Sequence, residues 1–338
     1  MRNVYTTHKK HKKRWWYVTV LLVILLSLLS VSMLLFGSTR YSLKEMVQVM
    51  SGEELPGASF AILSIRLPRM LAGLGAGIAF GMAGSTFQTM LKNPLASPDM
   101  IGVTSGASVA AVYCILVLKT DGSHAAIAAV VSGLVVSMAI YLFSRKGSFS
   151  GARLILIGIG IQAMMQAVIS FLLLKSSQYD VPAALRWLSG SLNGVQKKDL
   201  PLFYLILAVF GGLILCLGRH LKILELGEYT AIALGMKTDS IRVILVISGV
   251  ILIAFATAIT GPIAFVAFLS GPIAVRLTGY GISHVLPAGL VGAFLVLAAD
   301  LLGQFAFPVR FPVGIITGVL GAPYLLYLLV KMNQGGRT

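Results

Sequence analysis

The chain has 338 residues, 57% hydrophobic and 11% charged, with a mean hydropathy of +0.91 and a formal net charge of +16. A soluble globular domain is about 25% charged, so composition excludes a water-soluble enzyme and indicates a membrane protein. Nucleic acid does not explain the positive charge, because six of the 27 basic residues lie in the first 14 positions beside Trp15 and Trp16, as in an inside-positive anchor.

The basic start, "HKKHKKRWWY", leads into a charge-free run from Trp16 to Phe36. A helix needs about 18 to 20 apolar residues to cross the hydrocarbon. The run is too long for a signal peptide and no small-residue cleavage site ends it, so an uncleaved first span is expected. The apolar runs do not alternate with period two, which argues against barrel strands. Lipid cannot satisfy open backbone groups, so helices remain. Hydropathy predicts about ten spans, near 16–36, 66–90, 97–117, 124–143, 154–174, 201–218, 241–260, 262–276, 285–307 and 312–331. The expected class is an all-α polytopic membrane protein. Placing the N-terminus inside puts 17 of the 27 basic residues in cytoplasmic segments, with both termini cytoplasmic.

Between the first two spans, Ser38 to Ser64 reads as an external amphipathic segment. Gly73, Gly77 and Gly81 recur every four residues and give the second span a face without side chains, suited to close helix approach. "LKNPLASPD", after that span, reads as a rigid cytoplasmic corner: Pro94 and Pro98 keep Asn93 and Ser97 out of helical geometry, and Asp99 suits a helix N-terminus. The third and eighth spans are short and rich in Gly and Pro, which places them inside the bundle.

No energy-coupling chemistry is evident within the chain. "GMKT", Gly235 to Thr238, lacks the glycines of a phosphate-binding loop. The five His residues have no metal-ligand spacing, no nucleophile triad is present, and Cys114 and Cys216 stand alone. Asp300 is the one acid well inside a span, with Gln304 one turn on. It is either a proton relay or a residue held by a neighbouring helix. Gln162, Gln166 and Ser170 form a polar stripe on the fifth span, as a pathway lining or as interhelical hydrogen-bonding groups. Leu224 to Arg242 contains a short amphipathic helix between two spans, and its apolar side needs a covering partner. Arg66, Arg69 and Arg310 lie at outer helix mouths, where they meet lipid phosphates or an acidic soluble partner.

Together "RLPRMLAGLGAGIAFGMAGSTFQTMLKNPLASPDMIGVTSGA", the "ALG" segment, "GPIAFVAFLSGPIAVRLTG", "LPAGLVGAFLVLAADLLGQ" and "FPVGIITGVLGAPYLLYLL" resemble the permease subunits of iron-siderophore and vitamin B12 ABC importers, the FecCD type. The resemblance implies a type II importer architecture of ten helices: a basic segment 1–15, a permease domain 16–331 with a coupling segment about 224–240, and a tail 332–338. It implies a second permease subunit (self or paralogue), separate ABC ATPase subunits carrying ATP and magnesium, an extracytoplasmic binding protein, and no cofactor or metal on this chain. By the same resemblance Glu228, Ala233, Leu234 and Gly235 belong to the ATPase-coupling helix, and Arg66 and Arg69 dock the binding protein, with Arg310 a further docking candidate from its place between two spans. Gln162 and Gln166 then line the pathway, while Gly151 and Ala152 form the cytoplasmic gate. Two departures stand out. "PVRFPVG" carries Arg310 where the family usually has an acid, and "LSGPIAVR" lacks the usual Pro-His-Ile. The expected function is a bacterial inner-membrane permease importing a ferric siderophore; a proton-coupled transporter using Asp300 is the alternative.

Overall fold

The computed structural model describes residues 2–120, 122–144, 151–279 and 281–335. Among these, all regular structure is helical. In chain order the α-helices are α1 (Arg2–Leu35), α2 (Leu43–Met50), α3 (Leu67–Leu91), α4 (Val103–Tyr113), α5 (Ser123–Ser144), α6 (Gly151–Lys175), α7 (Val181–Leu188), α8 (Leu200–Ile206), α9 (Gly212–Cys216), α10 (Gly218–Glu225), α11 (Glu228–Ala233), α12 (Thr238–Thr260), α13 (Val266–Thr278), α14 (Val285–Phe305) and α15 (Val313–Gly335). Among the described residues seven helical stretches are long and apolar enough to cross a membrane, and three shorter apolar ones are Val103–Leu118, Val266–Thr278 and Val313–Leu328. Each expected span has its counterpart in this set. The second begins earlier than expected, because the π-helical turn Phe60–Arg66 feeds straight into α3, and another π turn, Leu207–Gly211, joins α8 to α9. The basic segment is a continuous part of α1 rather than a separate unit.

Helix α3 is the axis of the bundle and is buried over most of its length, whereas α6 is covered over little of its own. The glycine face explains the central position of α3. Gly77 lies against the backbone of Gly292 and Ala293, and Gly81 against that of Ala288 and Gly289, so α3 and α14 touch backbone to backbone. A methyl group at either position would overlap the α14 main chain.

Arg66 fixes the outer end of α1. Its guanidinium donates to the carbonyls of Leu34 (2.8 Å), Leu35 (3.0 Å) and Thr39 (2.6 Å) and lies 4.9 Å from the Tyr41 ring centroid. Leu34 and Leu35 close the last turn of α1, where carbonyls lack intrahelical partners, and Thr39 lies in the loop that follows. Arg66 is 8% exposed, which corrects its expected docking role: it is an internal tie. In the N-terminal half of α1, Arg14 donates to the carbonyls of Arg276 and Leu277 (2.7 Å each), closing the C-terminus of α13.

The turn from α13 to α14 holds a half-buried imidazole. Thr278 Oγ1 donates to Ala274 O (2.7 Å), so its oxygen accepts from His284 Nδ1 at 2.9 Å. Burial, then the charge of Lys222, pushes the His284 pKa down to about 4 from 6.5. The unfolded imidazole therefore takes up its proton first as the pH falls. His284 contributes its full stability above pH 6.5 and loses it progressively toward pH 4. Thermal midpoints in detergent should fall across that window, and H284Q should flatten the slope.

Candidate functional site

At one end of the bundle α10 and α11 form the shelf from which α12 rises. Leu221 and Leu224 anchor α10 in the core, and Ala231 is the buried point of α11. Gly227 turns between them at φ 121°. Helix α11 ends in a Schellman motif: Met236 N donates to Ala231 O (3.0 Å), Gly235 N donates to Ile232 O (2.8 Å), and Gly235 holds φ 80°. With its backbone closed in this way, the short helix keeps a fixed shape although Leu226, Tyr229, Ile232 and Leu234 are 53–90% exposed. Ala233 and Gly235 are exposed beside them. Glu228 has an internal role: its carboxylate pairs with Arg242 (3.0 Å) and ties α11 to the first turn of α12.

The 92–102 corner adjoins this shelf. Lys92 is left-handed at φ 50° and, with Asn93, closes α3 through bonds to Thr89 O (3.2 Å) and Gln88 O (3.0 Å). Asp99 accepts from Ser97 Oγ (3.0 Å) and Thr104 Oγ1 (2.8 Å), so its carboxyl group is used within the corner. The start of α6 reaches the same region, with Gly151 against Leu91 and Gly158 against the Met100 carbonyl. Ala152 is exposed there.

At the opposite end, Asp300 of α14 is 1% exposed and its oxygens accept from Arg69 Nε (2.8 Å), Arg69 Nη2 (2.7 Å) and Gln304 Nε2 (2.7 Å). Arg69 Nη1 donates to Asn193 Oδ1 in the loop after α7. Arg69, expected to face a partner, is turned inward with all three guanidinium nitrogens engaged, and its docking assignment is corrected accordingly. Arg310 is exposed in the α14–α15 loop. Gln162, Gln166 and Ser170 lie on the uncovered face of α6, pointing away from the bundle. Asn193 and Arg242 escaped the sequence reading. The available signal was the unpaired charge of Asp300 and of Glu228, each of which required a partner that spacing alone does not name.

A multi-pass, all-helical membrane permease, with its exposed contact shelf at one end, is the class that this architecture defines. The chain belongs to the FecCD transport family, whose sequence profile matches residues 21–331. It is 35% identical over 303 residues to the ferric enterobactin transport system permease protein FepG of Escherichia coli (strain K12), covering 88% of this chain and 91% of that protein. It is 34% identical over 311 residues to the achromobactin transport system permease protein CbrC of Dickeya dadantii (strain 3937), covering 90% and 88%. The Fe(3+)-citrate import system permease protein YfmE of Bacillus subtilis (strain 168) is 36% identical over 273 residues, covering 80% and 82%. Among solved structures, a metal-chelate type ABC transporter in an inward-facing conformation superposes with a TM-score of 0.82 at 27% identity, covering 93% of this chain and 99% of the other. The chain is thus a transport permease rather than a catalytic enzyme.

Proposed function

We propose that this permease carries a ferric chelate inward, driven by ATP hydrolysed on separate ATPase subunits. The observation that carries the reading is the α11 shelf: an apolar, backbone-closed helix outside the membrane spans, in a family of transport permeases. Leu234, Ala233 and Gly235 would seat in the ATPase, with Glu228 setting the angle of the helix through Arg242. The inside-positive charge distribution supports cytoplasmic termini in a bacterial inner membrane, with the shelf on the cytoplasmic side. Of the three expected docking arginines, exposed Arg310 is the one left for an acidic binding protein. The outward face of α6 suits a second permease subunit, self or paralogue, with Gln162 and Gln166 along the pathway between them and Gly151 and Ala152 at its inner end.

A chelated metal suits the described residues better than a bare cation does. A bare cation needs a set of oxygen, nitrogen or sulfur ligands, and among the described residues no group of three His, Cys, Asp or Glu is placed to supply one. A metal already wrapped by its chelator does not need them. Asp300 argues against proton coupling, since its carboxylate is the ion-pair partner of a permanently charged arginine. Vesicles holding the permease and its ATPase, loaded outside with binding protein and ferric chelate, should accumulate iron only with internal ATP. Accumulation driven by a proton gradient without ATP would overturn the proposal.

A further inference from the structure

Two cavities meet at the end of the bundle opposite α11, around the far end of α12. The first, of about 530 Å³, is polar at its mouth: Lys119 and Asp180 form an ion pair there, with Arg186 and Asn193 beside them. The second, of about 520 Å³, runs along α5, α8 and α12 over Ala126, Val130, Leu202 and Phe255. Ile115, Trp187, Asn193 and Ile259 line both, so the polar chamber and the apolar groove adjoin across shared walls. The groove opens to the outside of the bundle, where Ile127, Val131 and Leu202 are exposed.

Among the described lining residues the charges are Lys119 and Arg186 against Asp180 in the chamber, and Lys198 against Asp199 in the groove, which leaves one net positive charge. Among the described residues Arg186 and Lys198 make no ion pair. An apolar groove facing lipid is poorly filled by water, which needs two to four polar partners. Hydrocarbon fills it without that requirement. Arg186 in the chamber wall and Lys198 in the groove wall offer charge-assisted bonds, from guanidinium and ammonium, to a single negative charge carried on oxygen.

We propose that the two adjoining cavities bind one anionic phospholipid, its phosphodiester between Arg186 and Lys198 and one acyl chain in the α5–α8–α12 groove. Through Asn193 the site touches the Arg69–Asp300 network, so a seated lipid would brace the loop after α7 against α3 and α14.

Native mass spectrometry of the full-length permease in detergent, titrated with phosphatidylglycerol or phosphatidylcholine, tests this without any transport step. The expected result is one retained phosphatidylglycerol with at least about tenfold preference over phosphatidylcholine. R186Q with K198Q should abolish the preference. A126W, or I127W at a position exposed enough to tolerate it, should remove the retained lipid while leaving the thermal midpoint unchanged. Equal retention of both lipids, or retention unaffected by the charge and groove variants, overturns the proposal. So does displacement of phosphatidylglycerol by equimolar inorganic phosphate, which would show that the groove contributes nothing.

Discussion

Replacing Asp300 with leucine while keeping Arg69 is expected to remove about 3–5 kcal/mol of stability, the usual cost of breaking a buried ion pair by deleting one partner. Arg69 would then hold a guanidinium at 16% exposure with only Asn193 to accept from it. Gln304 would lose its acceptor as well. The double variant R69M/D300L should recover much of the loss, because two apolar side chains of similar volume leave no uncompensated charge. The check is a double-mutant cycle of thermal midpoints in detergent, which should give a coupling energy above about 1 kcal/mol. D300N separates the structural role from a proton relay. Its amide keeps one acceptor for Arg69, so ATP-driven uptake per folded molecule should stay within about twofold of wild type, whereas a relay would lose uptake entirely.

The spans were legible because crossing lipid demands long apolar runs, a requirement that one sequence displays without its partners. The glycines at 73, 77 and 81 were legible for a similar reason, since four-residue spacing sets a helix face whatever that face meets. What the face meets was not readable: Ala288, Gly292 and Ala293 lie more than 200 positions away. The arginines show the same limit at the candidate site. An arginine at a helix mouth looks alike from the sequence whether it faces a partner or turns inward, and the carbonyls of Leu34, Leu35 and Thr39 that claim Arg66 carry no side-chain signature. The α11 shelf could be read because an amphipathic stretch outside the membrane is conspicuous, and its Gly235 terminator is where a positive φ was needed. The role of Glu228 could not, because its partner Arg242 sits one helix later and looked like an ordinary inside-positive charge.

L234E should reduce association with the ATPase subunits by about ten- to a hundredfold and abolish ATP-driven uptake, while the thermal midpoint of the isolated permease stays within about one degree. Leu234 is 63% exposed in this chain, so its side chain adds little to the fold. If a partner buries it, covering a leucine contributes about 1.5–3 kcal/mol, which corresponds to about ten- to a hundredfold in affinity. Glutamate removes that contribution and adds the cost of dehydrating a charge, so L234E should exceed L234A. G235V probes the same contact differently. A β-branched residue at φ 80° is strained, and relieving that strain would open the Schellman motif and tilt α11. The expected signature is weaker ATPase association with every shelf side chain still present. Pull-down of the ATPase from detergent, with uptake measured in parallel, distinguishes the outcomes. If L234E binds the ATPase normally and still supports uptake, the shelf is not the coupling surface. If binding survives and uptake fails, the shelf transmits motion but does not hold the partner, and the larger patch of Leu226, Tyr229 and Ile232 carries the affinity.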